Sequence, residues 1–258
     1  MGSLDGHTAI VTGAGTGIGV GIARHLASAG ASLVLSAYNS FSGCQDLQRE
    51  LAAAGTDAIA IKVDLRGSSD ATQLVDAATE RWGKIDILVN NAGFTLAKPF
   101  VECSERDWDD LFSINLRSMF VTCRAAAPAM IERGYGRIIN ISSVHGVQHI
   151  QNMVLYGATK GGINEFTRGL AVELGPHGIT ANVIAPGAIY VPRYDRVGAD
   201  KSTMAATVPN GQLGDVDDIG RTAAFLADPE ADYISGEILY VDAGLTSKMA
   251  LTGGAQRT

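Results

Sequence analysis

A chain of 258 residues with 46% apolar and 18% charged side chains can bury a full core, and it suits one large α/β domain better than two small ones. Its formal net charge of −7 argues against nucleic acid or an anionic membrane as the main partner. Three cysteines, Cys44, Cys103 and Cys123, form no Cys-x-x-Cys pair, which disfavours a disulfide framework or a zinc site and implies a reducing, cytoplasmic compartment.

The chain opens on Met1 to Gly6 with no basic region leading into an apolar run, so no secretory signal is expected there. No stretch reaches the ~18 consecutive apolar residues of a membrane span. A first strand is expected over residues 8–11, and a first helix over 18–29, where apolar side chains recur at helical spacing up to Gly30. Between them stands Thr12-Gly13-Ala14-Gly15-Thr16-Gly17-Ile18-Gly19. Glycines at a strand-to-helix turn let the backbone approach a ligand, and the free N–H groups opening the helix favour an anion such as a pyrophosphate. The turn lacks the Gly-Lys-Ser/Thr ending of a triphosphate-binding loop, so a dinucleotide is the expected guest.

Further strand-like segments fall at 32–36, 58–63, 85–89, 137–141, 179–184 and 238–241, and helix-like ones at 44–54, 69–82, 105–132, 154–174 and 216–227. Strands apolar on both faces and separated by helices describe a parallel sheet covered on each side, an α/β fold of the doubly wound type. No repeat or linker interrupts the alternation, so residues 1–258 are read as one domain. The tail, 246–258, is expected either to be loosely held or to dock on a neighbouring subunit.

The helix at 154–174 carries Tyr156-Gly157-Ala158-Thr159-Lys160. Four residues make about one helical turn, so the phenol and the ammonium project from one face. A phenol titrates near ~10, and a cation beside it stabilises the phenolate and lowers that value. Such a pair can give or take a proton at working pH. Thirteen residues upstream, just beyond the strand at 137–141, the hydroxyl of Ser143 can face the same point.

Taken together, these motifs resemble the short-chain dehydrogenase/reductase family from about Leu4 to Thr246: Thr12-Gly13-x-x-x-Gly17-Ile18-Gly19, Asp64, Asn90-Asn91-Ala92-Gly93, Asn115, Ser143, Tyr156-x-x-x-Lys160 and Pro186-Gly187. The resemblance implies a single Rossmann domain with a seven-stranded parallel sheet, and an enzyme that moves hydride between nicotinamide C4 and an alcohol or carbonyl carbon. It implies that Tyr156 is the general acid/base, and that Lys160 lowers the tyrosine's pKa and holds the nicotinamide ribose. Ser143 would bond the substrate oxygen, and Asn115 would hold a water linking Lys160 to solvent. Ser142 is the rival to Ser143, and the interval to Tyr156 favours the second serine.

For the cofactor, the resemblance implies that Gly13, Gly15, Thr16, Gly17, Ile18 and Gly19 cradle the pyrophosphate and that Asp64 and Leu65 touch the adenine. Asn90, Ala92 and Gly93, with Asn91 among them, would flank the adenosine ribose, and Pro186, Gly187 and Ile189 would bound the nicotinamide face. Val191 stands where family members often carry a threonine that bonds the carboxamide. The second strand ends near Ala37, followed by Tyr38, Asn39 and Ser40. An acidic residue there would bind both ribose hydroxyls and repel a 2′-phosphate, and none is present. Nor does that loop hold an arginine, or position 16 a basic residue. The missing carboxylate permits NADP, to which Asn39 and Ser40 are able to donate, so NADP is preferred to NAD.

The loop at 144–150, with His145 and His149, is expected to wall the substrate pocket, and residues 190–208, with Arg193, to form a lid. Ser142-Ser143-Val144-His145 and Pro186-Gly187-Ala188-Ile189 are similar to the aldose 1-dehydrogenase branch, where a hemiacetal is oxidised to a lactone. Ketoreductases such as the 3-oxoacyl carrier-protein reductases share most of that pattern and remain the alternative. A non-catalytic nucleotide-binding regulator would have lost Ser143, Tyr156 or Lys160, and all three are present. The histidines and cysteines form no ligand cluster, so no metal is expected. Apolar residues in the helical regions 105–132 and 154–174 exceed what one face against the sheet needs, which implies self-association, by resemblance as a homotetramer.

Overall fold

A computed structural model of the protein describes residues 2–67, 70–196 and 198–248; Ser69 and residues 249–258 of the expected tail lie outside the described residues. One parallel sheet has the order β3-β2-β1-β4-β5-β6-β7. Its strands are β1 (Thr8–Thr12), β2 (Ser32–Ala37), β3 (Ala58–Lys62), β4 (Ile87–Asn90), β5 (Gly136–Ile141), β6 (Ile179–Pro186) and β7 (Ile238–Val241). The helices are α1 (Ile18–Ser28), α2 (Phe41–Ala53), α3 (Asp70–Trp82), α4 (Glu105–Phe112), α5 (Ser118–Arg133), α6 (Val154–Leu174), α7 (Arg193–Arg196), α8 (Lys201–Thr207) and α9 (Val216–Ala227).

Successive residues of a strand point to opposite faces, and here both faces are apolar and covered. In β1, Ala9 and Val11 pack with Ile22 and Leu26 of α1 and Ile219 of α9, while Ile10 packs with Leu74 of α3 and Met130 of α5. Each large side chain buried in this way stabilises the fold by ~1.5–3 kcal/mol relative to exposure. Consecutive strands step outward in one direction from β1 to β3 and in the other from β4 to β7. The reversal opens a crevice at the C-terminal ends of β1 and β4, the place where such sheets bind ligands. Among the described residues no helix is long and apolar enough to cross a membrane.

Three expectations about elements change. The region 105–132 is not one continuous α-helix: α4 ends at Phe112, a π-helical turn spans Ser113–Arg117, and α5 follows. The wide turn rotates Asn115 inward, where its amide meets the backbone of Phe94, and π turns of this kind are frequent at functional sites. Helix α2 starts at Phe41 rather than 44, directly after the loop that leaves β2. The lid region holds two short helices, α7 and α8, the second capped by Asp200, whose carboxylate accepts the N–H groups of Ser202 and Thr203.

Candidate active site

From β1 the chain enters α1 through Gly13 and Gly17, whose φ angles of +66° and +58° are rarely open to L side chains. The turn is also crowded. A Cβ on Gly13 would stand 2.9 Å from the Ala92 Cα, one on Gly15 2.1 Å from the Ser40 carbonyl oxygen, and one on Gly19 2.3 Å from that of Gly13. The end of β4 pins it in place. Asn91 Nδ2 donates to the carbonyls of Thr12 (3.0 Å) and Gly13 (3.1 Å), and Thr12 Oγ1 accepts the N–H groups of Asn91 and Ala92. Among the described residues no side chain caps α1, and no acidic residue stands in its first turn, so the N–H groups that open the helix suit an anion.

A cleft of about 320 Å³ runs from Gly13 and Ser40 past Asn91 and Gly93 to Tyr156 and Lys160. These residues fit a dinucleotide: a side-chain-free cradle for a pyrophosphate lies at one end and proton-handling groups at the other. Helix α6 sets Lys160 Nζ 5.5 Å from the Tyr156 ring centroid. Ser142 Oγ donates to the Lys160 carbonyl (3.1 Å), which leaves Ser143 as the serine beside the phenol.

The electrostatics add a competing influence on the phenol. Burial raises the Tyr156 phenol above its ordinary value, and the groups that pull it back are the hydroxyls of Thr95 and Ser143 and the charge of Arg193. The buried Lys160 ammonium donates to the Ile141 carbonyl (3.0 Å), and burial lowers it to about 8. Desolvation is the largest influence on the phenol, and it favours the neutral form. Thr95 went unnoticed in the sequence because nothing in the local pattern marks it; only the packing of the Gly93–Phe94 segment brings it to the phenol.

A lysine depressed on folding makes stability depend on pH. Between pH ~8 and ~10.5 the unfolded chain binds a proton that the folded one does not, so stability rises with pH across that window and the cost of the buried ammonium is fully present below it. Lys160→Met is expected to raise unfolding stability in urea by about 3 kcal/mol at pH 7, with the gain vanishing near pH 10.5. Equal stabilities at pH 7 would show that the ammonium remains solvated after folding.

Other expected site residues make supporting contacts. Asn115 is fully buried: its Oδ1 accepts the Phe94 N–H (2.9 Å), and its Nδ2 donates to the Phe94 carbonyl (3.0 Å) and Thr159 Oγ1 (3.2 Å). Its side chain thus joins the Phe94 backbone to α6. The Asn90 side chain faces the core, where Nδ2 donates to Asn140 Oδ1 (2.9 Å) and Oδ1 accepts from Thr122 (2.6 Å), so it closes the β4–β5 seam. Leu65 is buried with Val63 and Leu74; Asp64 alone is at the surface, held by the Arg66 guanidinium. A Cβ on Gly187, just past the end of β6 at Pro186, would meet Asp242 at 2.7 Å. Backbone bonds to Gly214 turn Ile189 toward α9 and a second pocket of about 510 Å³, so Val191, over Gly17, lines the cleft in its place.

His145 meets Tyr156 edge-on at 5.8 Å and has Nδ1 3.2 Å from the Gln148 carbonyl; burial lowers its pKa and keeps it neutral. His149 is exposed and packs on Gly157, where a Cβ would come within 2.7 Å of Nδ1. Arg193 lines the cleft and enters no ion pair among the described residues. Thr16 and Ile18 line the cleft as well, whereas Tyr38 and Asn39 stand exposed where β2 ends. Among the described residues no group of His, Cys, Asp or Glu is arranged to hold a metal.

A sequence model of the family described as enoyl-(acyl carrier protein) reductase matches residues 13–246. The 3-oxoacyl-[acyl-carrier-protein] reductase of Vibrio cholerae serotype O1 is 38% identical over 244 residues, covering 94% of this chain and 98% of that protein. The crystal structure of a putative gluconate dehydrogenase from Agrobacterium tumefaciens superposes with a TM-score of 0.90 at 35% identity, over 95% of this chain and 98% of that one. That of a blue fluorescent protein from a metagenomic library, in complex with NADPH, does so with a TM-score of 0.88 at 38% identity, over 94% and 99%.

Proposed function

This chain belongs to the short-chain dehydrogenase/reductase family and moves hydride between NAD(P) and an alcohol or carbonyl carbon; on that premise we propose that it is an NADPH-dependent reductase of a small polar ketone carrying a carboxylate. The observation that carries the reading is a half-buried Tyr156, its phenol raised by desolvation, in the same cleft as an Arg193 with no ion-pair partner among the described residues. When bound, the coenzyme supplies the hydride. Tyr156 gives its proton to the carbonyl oxygen, and a phenol held neutral is in the right state to do so at pH 7. Ser143 donates to the same oxygen, orienting it and stabilising the charge that develops there. Lys160, 5.5 Å from the ring, stabilises the phenolate left behind and holds the nicotinamide ribose. Asn115 positions the Phe94 backbone and with it Thr95.

The Gly13–Gly19 turn holds the pyrophosphate, and the absence of a carboxylate at Ala37 favours NADP over NAD. Arg193 receives the substrate carboxylate, and the likeness to a putative gluconate dehydrogenase supports a sugar-acid-like class. The neutral imidazole of His145 beside Tyr156 suits a substrate hydroxyl, which keeps aldose oxidation as the second reading.

Nicotinamide absorbance tests both readings, with NADPH or NADH against keto acids, β-ketoesters and neutral diketones, and with NADP or NAD against aldoses and sugar acids. Keto-acid reduction with NADPH is expected, with kcat/KM falling about 10-fold or more in Arg193→Ala. Oxidation of an aldose alone would move the protein to the sugar dehydrogenase branch, and equal turnover of neutral and carboxylated ketones would remove the role given to Arg193. For self-association, the exposed Phe100, Val101, Trp108 and Phe120 offer the surface that a homotetramer would bury. A cytoplasmic location accords with free Cys44, Cys103 and Cys123.

A further inference from the structure

Parallel pairing of β2 with β3 sets Ala37, the last residue of β2, opposite Lys62, the last residue of β3. The next residue, Tyr38, leaves the sheet with its side chain half exposed, and two cations stand over its ring. Lys62 Nζ is 5.5 Å from the ring centroid, and Arg66 Cζ is 5.8 Å from it. Arg66 is oriented rather than loose: its Nε lies 2.9 and 3.1 Å from the two Asp64 carboxylate oxygens, and its carbonyl accepts from Arg117. The bonds to Asp64 use Nε and Nη2, and among the described residues Nη1 has no acceptor. Lys62 is exposed and enters no ion pair among the described residues.

A dinucleotide lying across this sheet brings its adenosine ribose to the end of β2. A carboxylate there takes the two ribose hydroxyls, and a cation takes a 2′-phosphate. Here the β2 position is an alanine, its partner across the ladder is a lysine, and the next cation is an arginine already fixed in place. Resting on the reading that the coenzyme is NADP(H), we infer that Lys62 and Arg66, reaching from the β3 side and both close to the Tyr38 ring, hold the 2′-phosphate. Ser40, at the near end of the cleft, adds a hydroxyl donor. The charge sits on the strand beside β2 and on the loop after it, not in the loop that leaves β2. Asp64 does not repel the phosphate outright, because its own charge is taken up by Arg66.

The test is equilibrium binding without substrate, by calorimetry, of 2′,5′-ADP against 5′-AMP and of NADPH against NADH. The unaltered protein is expected to bind 2′,5′-ADP about 100-fold more tightly than 5′-AMP, and Lys62→Gln and Arg66→Gln each to cut that ratio about 10-fold, with Lys62→Arg restoring it. Lys62 is exposed at the end of the edge strand, so its substitution decides the matter even if Arg66→Gln loosens the Asp64 loop. Ratios unchanged in Lys62→Gln, or equal losses for both members of each pair, would overturn the clamp. If the unaltered protein prefers NADPH while Lys62→Gln is silent, only the clamp falls. If it binds NADH as tightly as NADPH, the clamp and the NADP preference fall together, and the hydride chemistry of the family stands.

Discussion

Tyr156→Phe is expected to lower kcat for ketone reduction by about 10³-fold while leaving the dissociation constant of NADPH within about twofold. Phenylalanine keeps the ring that lies edge-on to His145 and near Lys160, and removes only the hydroxyl beside Thr95 and Ser143. The fold and the coenzyme cleft should therefore survive, and the loss should appear in kcat rather than in binding. The same assignment has a pH signature. The proton donor must be protonated, so the reductive rate should stay level through neutral pH, fall as Lys160, lowered to about 8, loses the charge that stabilises the phenolate, and fall again as pH rises toward the raised value of the phenol. Stopped-flow single-turnover rates and a pH series measure both, and a Tyr156→Phe protein with appreciable turnover would refute the assignment.

Ser143→Ala is expected to lower kcat by about 10²-fold, because it removes one donor to the oxygen on which charge develops. Its effect on stability should be small, since among the described residues the hydroxyl accepts one bond, from the His145 N–H at 3.2 Å. Tyr156 and Ser143 act on the same atom, so their losses should not multiply: the double variant is expected within about 3-fold of Tyr156→Phe alone. A product of the two single effects would show instead that they act on different steps. Ser142→Ala separates the rival serine. Its Oγ is committed to the Lys160 carbonyl, so substitution should lower stability more than it lowers kcat.

Much of this site is visible in one dimension. The helices at 154–174 and 216–227 and the strand at 238–241 have the bounds their periodicity implies, because amphipathic spacing and capping are local. The spacing of Tyr156 and Lys160 places them on one helical face, and the glycines of the first turn stand where a Cβ would collide. What spacing cannot say is how strongly neighbours compete for a group once water is gone. Burial raises the Tyr156 phenol, and it draws Asn115 and Asn90 into supporting networks, because a buried amide must satisfy its donors and acceptors wherever partners lie.

The sequence by itself determined the alternation of strands and helices, the turn that suits a pyrophosphate, and the serine, tyrosine and lysine of the cleft, since each depends on residues close together in the chain or on a shared motif. Only the tertiary structure decided which charges meet at the end of β2. Lys62 comes beside Tyr38 through the register that sets Ala37 against it, and Arg66 through a loop oriented by Asp64. The same holds for Thr95 beside the phenol, and for Val191 rather than Ile189 in the cleft. Contacts between segments depend on strand register and on which face of a loop is buried against its neighbours, and both are settled by packing of the whole chain.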